Sequence, residues 1–139
     1  MTVPPRSKPS LYIDFLAAFF VEKADGLEVA PFTREFLAAV KGRFRLRCLS
    51  EIPEAQALKI ARSLGFECDY VAWSRGLGKA KAINMNETFY WIESDPSPSD
   101  LLRLSDARCS ERLIPIVKRE GVTPATLKKL ELTLDASAG

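Results

Sequence analysis

The chain has 139 residues, of which 47% are hydrophobic and 27% charged, and its formal net charge is +2. This length suits one domain with a single core, and so small a net charge does not predict a nucleic-acid partner or an acidic membrane surface. No apolar run is long enough to span a bilayer, so we expect no membrane partner. The polar, proline-rich residues 1–9 lack the apolar stretch of a signal peptide and are expected to form a disordered tail.

The histidine and cysteine content limits which side chains could act in catalysis or bind a metal. The chain has no histidine, so acid–base work must fall to carboxylates, lysine, tyrosine or cysteine. Three cysteines, Cys48, Cys68 and Cys109, are an odd number without close spacing. They indicate reduced, mostly buried thiols in a cytoplasmic protein, and they favour neither a disulfide framework nor a zinc site.

The first half of the chain alternates between strand and helix patterns. Residues 10–16 form a continuous apolar strand, and residues 19–30 resemble a flap or hairpin that turns at Asp25-Gly26. Residues 31–40 have apolar side chains at helical spacing, residues 43–50 alternate as a strand does, and residues 52–65 are the clearest helix. Both helices end at a glycine, as helices commonly do.

The second half continues this alternation. Strands are predicted at 66–73, 87–94 and 112–118, and helices at 80–85, 97–107 and 123–134. Ser99 is the expected N-cap of the helix at 97–107. Pro115 cannot donate a backbone hydrogen bond, so the last strand is expected at the edge of the sheet.

Strands that alternate with helices predict an α/β fold, a three-layer Rossmann-like sandwich around a central, mostly parallel five-stranded sheet. A single domain would cover residues 10–134, followed by a frayed C-terminus at residues 135–139. Ligands of such sheets bind at the carboxyl ends of the strands. The polar residues that finish predicted strands are therefore the candidates for function: Asp14, Ser50, Trp73, Ser74, Glu93, Ser94 and Asp95.

These strand ends, with a nearby lysine, have the components that phosphoryl transfer through an aspartyl intermediate requires. An aspartate attacks phosphorus, a hydroxyl and an ammonium group hold the phosphate oxygens, and further carboxylates bind a magnesium ion. The lysine is Lys79 or Lys81, both just after the third predicted strand.

In the order of these segments the chain resembles the haloacid dehalogenase-like superfamily, over about residues 10–134. "LYIDFLAAF" resembles its first motif, which implies that Asp14 is the nucleophile. "FRLRCLS" resembles the second motif and implies that Ser50 holds phosphate. "GLGKAKAI" resembles the third and implies the same for Lys79, with Lys81 as the alternative.

The fourth motif of the superfamily is an acidic group at the end of a strand, which "FYWIESD" resembles. The resemblance implies a magnesium ion bound by Asp14, by the backbone carbonyl of Leu16, and by Glu93 or Asp95. Only about thirty residues separate the first two motifs, too few for a folded cap domain. The resemblance therefore implies a capless form that acts on a small phosphorylated molecule.

Leu16 is the main departure from the superfamily pattern, because phosphatases of this type carry a second aspartate at that position. The chain is therefore expected to be at best a slow magnesium-dependent phosphohydrolase that acts through an aspartyl-phosphate. The alternative is a catalytically inactive binding or interaction module with the same cleft. Each candidate also has a structural alternative. Asp14 could cap loop amides, and Ser50 could make only ordinary hydrogen bonds within its loop. A lysine near Glu93 could be only a counter-ion, and Glu93 and Asp95 could open the turn before Pro96. The oligomeric state is left open.

Overall fold

The structure is a computed structural model that describes residues 8–138, with side chains described for residues 8–136. The first seven residues of the expected N-terminal tail therefore lie outside the described residues. Seven strands are present in the described chain: Ser10–Ile13 (β1), Phe20–Lys23 (β2), Gly26–Val29 (β3), Arg45–Cys48 (β4), Asp69–Tyr70 (β5), Phe89–Glu93 (β6) and Leu113–Pro115 (β7). Its α-helices are Phe15–Phe19 (α1), Thr33–Val40 (α2), Glu54–Leu64 (α3), Pro98–Asp106 (α4) and Pro124–Ala138 (α5).

Five of the strands form the central sheet, in the order β5-β4-β1-β6-β7. All four neighbouring pairs are parallel, so the carboxyl ends of the strands meet at one edge. The predicted α/β fold with a five-stranded parallel sheet and flanking helices is confirmed. Pro115 ends β7, which is an edge strand as predicted.

The side chains of the central strand β1 alternate between two hydrophobic cores, one on each face of the sheet. Leu11 and Ile13 belong to one core, which also contains residues of α1, α2, α3 and α5. Tyr12 belongs to the other core, together with Trp91 of β6 and Leu104 of α4. Because both faces of the sheet are covered here, β1 and β6 are largely apolar.

The short connection after β1 positions the first candidate residue. Helix α1 follows β1 after one residue, and the antiparallel hairpin β2–β3 comes next. The hairpin turns at Ala24 and Asp25, one residue earlier than predicted, and Gly26 at φ +118° begins β3. Only this hairpin and α2 separate α1 from β4.

Other boundaries differ from the predictions for identifiable reasons. Strand β5 is only two residues long, Asp69–Tyr70, instead of the predicted 66–73, because only these residues pair with the end of β4, at Arg47 and Cys48. The N-cap of helix α4 is Ser97, two residues before the predicted cap Ser99. Helix α5 continues to Ala138, past the predicted end at residue 134. Residues 80–85 contribute a short 3₁₀ turn, Ala80–Ala82.

No helix within residues 8–138 is long and apolar enough to cross a membrane. Cys48 and Cys109 are buried and Cys68 is partly buried, and all three thiols are free, as predicted.

Candidate functional site

Asp14 stands where β1 ends and α1 begins. Its Oδ1 atom lies 3.5 Å from the backbone nitrogen of Ala17 and caps α1. Its own backbone N–H donates to the carbonyl of Ile92 in β6, at 3.1 Å. The capping role that was the structural alternative for Asp14 is therefore present, but the carboxylate has two further partners.

The first of these partners is Ser50, which follows the end of the neighbouring strand β4. Its hydroxyl lies 2.6 Å from Asp14 Oδ1, to which it donates a hydrogen bond. Ser50 is buried, with 1% of its surface exposed, so this short bond is shielded from water. The hydrogen bond links the ends of two adjacent parallel strands, β1 and β4.

The second partner is Lys79, whose ammonium group lies between two carboxylates. Nζ is 3.2 Å from Asp14 Oδ2 and 2.6 Å from Glu93 Oε1. The three side chains are 9%, 13% and 2% exposed respectively. Because the group is largely withdrawn from solvent, its charges interact strongly with one another.

Burial and these charges shift the pKa values of the cluster. Burial raises the pKa of Glu93, and the nearby charge of Asp14 raises it further, against the opposing effect of Lys79. Burial alone would lower the pKa of Lys79, but the charges of Asp14 and Glu93 and the hydrogen bonds to both outweigh it and raise that pKa. Lys79 is therefore a firmly protonated cation at neutral pH and cannot serve as a general base.

The two acidic candidates after β6 differ in their surroundings. Oε2 of Glu93 accepts hydrogen bonds from the backbone N–H groups of Ser94, at 3.0 Å, and Asp95, at 3.1 Å. Both oxygens of Glu93 thus have protein donors already, so Glu93 is placed to hold Lys79 and the following turn. Asp95 is exposed, and its carboxylate has no hydrogen bond or ion pair with any described residue.

Asp100 holds the loop that carries Lys79, and it was not among the site residues predicted from the sequence. Its Oδ1 accepts from the backbone N–H of Ala80 at 2.9 Å, and its Oδ2 from that of Ser97 at 3.0 Å. A side chain at Gly78, where φ is +83°, would place Cβ 2.6 Å from Asp100 Oδ1. The signal in the sequence was the Ser97-x-x-Asp100 capping box with proline at the first helical position, which is typical of a helix N-terminus.

A cavity of about 360 Å³ opens at this cluster. Asp14, Lys79 and Glu93 border it together with Asp95 and the partly buried Leu16. Three basic and five acidic side chains border the cavity, for a formal charge of −2: Arg75, Lys79, Lys118, Asp14, Glu51, Glu93, Asp95 and Asp100. A net negative cavity repels a bare phosphate group, so it would bind a phosphate ester better together with a cation.

The structure thus brings together Asp14, Ser50, Lys79 and Glu93, which the sequence placed in separate motifs. Of the two alternative lysines, Lys79 contacts Asp14, whereas Lys81 is exposed and does not border the cavity.

The candidate site has oxygen atoms that could bind a metal ion, but the described residues do not supply a complete set of ligands. Among the described residues, no three His, Cys, Asp or Glu side chains converge in a way that could hold a metal. Magnesium usually needs only one or two carboxylates, and keeps several waters and substrate oxygens as its other ligands. Asp14 and Asp95 border the same cavity as Leu16, so a magnesium ion here would have to be of that open kind and would compete with Ser50 and Lys79 for the oxygens of Asp14.

A larger groove of about 1230 Å³ lies at the opposite edge of the sheet, by the amino ends of the strands. Arg45 at its wall is paired with Asp69, at 2.7 Å. The strand-end cluster around Asp14 is at the other edge, where ligands of parallel sheets bind. We therefore take the smaller cavity as the candidate site.

No protein-family model matches this chain, and no curated protein matches it significantly.

Proposed function

We propose that this chain is a divergent haloacid dehalogenase-like protein that hydrolyses small phosphate esters slowly, with magnesium as cofactor. The observation that carries the proposal is the set of contacts of Asp14, with the Ser50 hydroxyl at 2.6 Å and the Lys79 ammonium at 3.2 Å. A carboxylate flanked by a hydroxyl and a cation provides a nucleophile and donors for phosphoryl oxygens.

In the proposed reaction, a carboxylate oxygen of Asp14 attacks phosphorus and the bond from phosphorus to the leaving alcohol oxygen breaks. The alkoxide takes a proton from solvent water, because the hydrocarbon side chain of Leu16 has no acidic proton to donate. Water then attacks phosphorus and loses a proton to solvent, and the bond from phosphorus to the Asp14 oxygen breaks. Inorganic phosphate leaves and the Asp14 carboxylate is restored. Ser50 and Lys79, which hold the free carboxylate, would donate to the phosphoryl oxygens during both steps.

Glu93 has a supporting role in this proposal. Its contact with Lys79 at 2.6 Å fixes the ammonium group, and its charge adds to that of Asp14 in raising the pKa of Lys79. Asp14, Asp95 and the Leu16 carbonyl are the groups that would hold magnesium. When bound, the ion would offset the negative charge of the cavity and of the phosphate.

The rate is expected to be low because of Leu16. General acid–base help is worth roughly 10²–10⁴ in rate, and here the leaving group and the attacking water would both lack it. The second candidate function is therefore that of a binding module, which has the same cleft but does not turn over a substrate. The observation in its favour is that Asp14 already has a donor on each oxygen, an arrangement that lowers the nucleophilicity of the carboxylate.

The test compares Asp14→Asn with Asp106→Asn, which alters an exposed aspartate of α4. Release of phosphate from an aryl phosphate with magnesium should be measurable above a buffer blank in the parent and in Asp106→Asn, and absent in Asp14→Asn. Fluoroberyllate, a phosphate mimic, should bind the parent with magnesium in calorimetry. Binding without turnover would support the module, and neither binding nor turnover would reject both functions.

Restoring the missing group separates the two functions further. Leu16→Asp, alone or with Ser94→Asp, should raise the turnover of the parent by about 10²–10⁴. A folded variant that binds magnesium but gains no activity would argue that the cavity no longer supports phosphoryl transfer.

A further inference from the structure

Trp73 is fixed beside the residues that contact Asp14. Its indole N–H donates to the backbone carbonyl of Ser50 at 2.9 Å, and the hydroxyl of the same Ser50 contacts Asp14. The other tryptophan, Trp91, is fully buried, whereas Trp73 is partly exposed. The hydrogen bond restricts the orientation of the Trp73 ring, so little side-chain freedom is left to lose when a ligand packs against it.

Trp73 also borders the cavity, and the ammonium group of Lys79 lies over one face of its ring. Nζ of Lys79 lies 5.3 Å from the centre of the ring, and both side chains border the cavity of about 360 Å³. Leu16 and Ala17 add further apolar lining. The lining of the cavity is mostly charged, and Trp73, Leu16 and Ala17 form its apolar part beside Asp14 and Lys79, where the organic part of a small molecule would pack.

We propose, on the basis of the function proposed above, that Trp73 is the surface on which the organic part of the substrate stacks, and that the site selects phosphate esters of planar aromatic groups. Aromatic rings gain about 0.5–1.5 kcal/mol from mutual packing beyond the area they bury. A saturated ring of the same size lacks this gain. The cavity volume is near the lower limit for small-molecule sites, which favours a single ring over a large polymer.

Phenyl phosphate and cyclohexyl phosphate make a matched pair of probes, because both carry a six-carbon ring and only one is planar. Trp91→Phe is the background for the measurement, since it leaves Trp73 as the single tryptophan. The Trp91 indole nitrogen has no hydrogen-bond partner among the described residues, so this change removes no such bond there. With magnesium present, phenyl phosphate should quench Trp73 fluorescence and bind about three- to tenfold more tightly than cyclohexyl phosphate.

Trp73→Leu, measured by calorimetry with the same two esters, should lose the preference while still binding fluoroberyllate. Trp73→Phe keeps an aromatic ring and should retain most of the preference for phenyl phosphate. It replaces the leucine variant in the comparison if that variant does not fold. Equal affinities in the Trp91→Phe background, or a preference that survives in Trp73→Leu, would overturn the inference. Fluoroberyllate binding without a ring preference would overturn this inference alone, whereas no binding of any probe would reject the proposed function as well.

Discussion

Replacement of Lys79 by methionine tests how the buried cluster is held together. The substitution keeps the length and most of the apolar stem but removes the charge between Asp14 and Glu93. Those carboxylates, 13% and 2% exposed, would then face each other without a cation. Loss of one partner from a buried ion pair costs about 3–5 kcal/mol, so we expect Lys79→Met to lose that much free energy of unfolding at neutral pH.

The loss should depend on pH in a definite direction. The pKa of Lys79 is raised in the folded state, so its contribution in the parent is complete below the ordinary lysine value of about 10.4 and constant across acid and neutral pH. In the variant, the pKa of Glu93, already raised by burial and by Asp14, rises further. The destabilisation should therefore grow as pH increases from about 4.3, by about 1.4 kcal/mol for each pKa unit added.

Urea unfolding followed by tryptophan fluorescence, at mildly acid and at alkaline pH, measures both effects. Lys81→Met is the matched control because Lys81 is exposed two residues away, and it should change stability by no more than about 0.5 kcal/mol. Adding Glu93→Gln to Lys79→Met should recover part of the loss at the higher pH. A Lys79→Met variant as stable as the control, or one whose loss is independent of pH, would refute the reasoning.

Three further predictions concern the surroundings of the cluster. Gly78→Ala should destabilise the fold by about 1–3 kcal/mol in urea unfolding, because φ is +83° there and Cβ would meet Asp100; an unchanged midpoint would contradict this contact. Asp100→Ala should free the loop, so that acetylation of Lys79 quantified by peptide mass spectrometry accelerates relative to that of exposed Lys81; a constant ratio would show that Asp100 does not hold Lys79. Burial raises the pKa of Cys48 to about 12, so iodoacetamide at about pH 8 should spare this thiol in the folded chain and modify it in urea; rapid alkylation of the folded protein would contradict its burial.

The parallel sheet was predictable because its central strands are buried on both faces. Such strands are continuously apolar, as in 11–13 and 89–92, and they alternate with helical segments. The short β5 was not predictable in extent, because an edge strand has a partner on one side only and the apolar pattern at 66–73 does not reveal how many residues pair. The hydrophobic pattern therefore identified the order of the elements better than their ends.

The candidate site was predictable for those of its residues that lie at or near strand ends. Asp14, Ser50 and Glu93 come directly after or at the end of parallel strands, and parallel strands bring their ends to one edge. The choice of Lys79 over Lys81 depends on a loop held by Asp100. That loop follows no periodic pattern, and long-range hydrogen bonds such as those from Ala80 to Asp100 and from Arg103 to Ala80 hold its conformation.

The most direct test of the account is a crystal structure with magnesium and fluoroberyllate. We expect beryllium bonded to a carboxylate oxygen of Asp14, with Ser50 and Lys79 turned toward the fluorine atoms and magnesium near Asp95. Fluoroberyllate bound elsewhere, or an Asp14 carboxylate that keeps its contacts with Ser50 and Lys79 at saturating concentrations, would contradict phosphoryl chemistry at this residue.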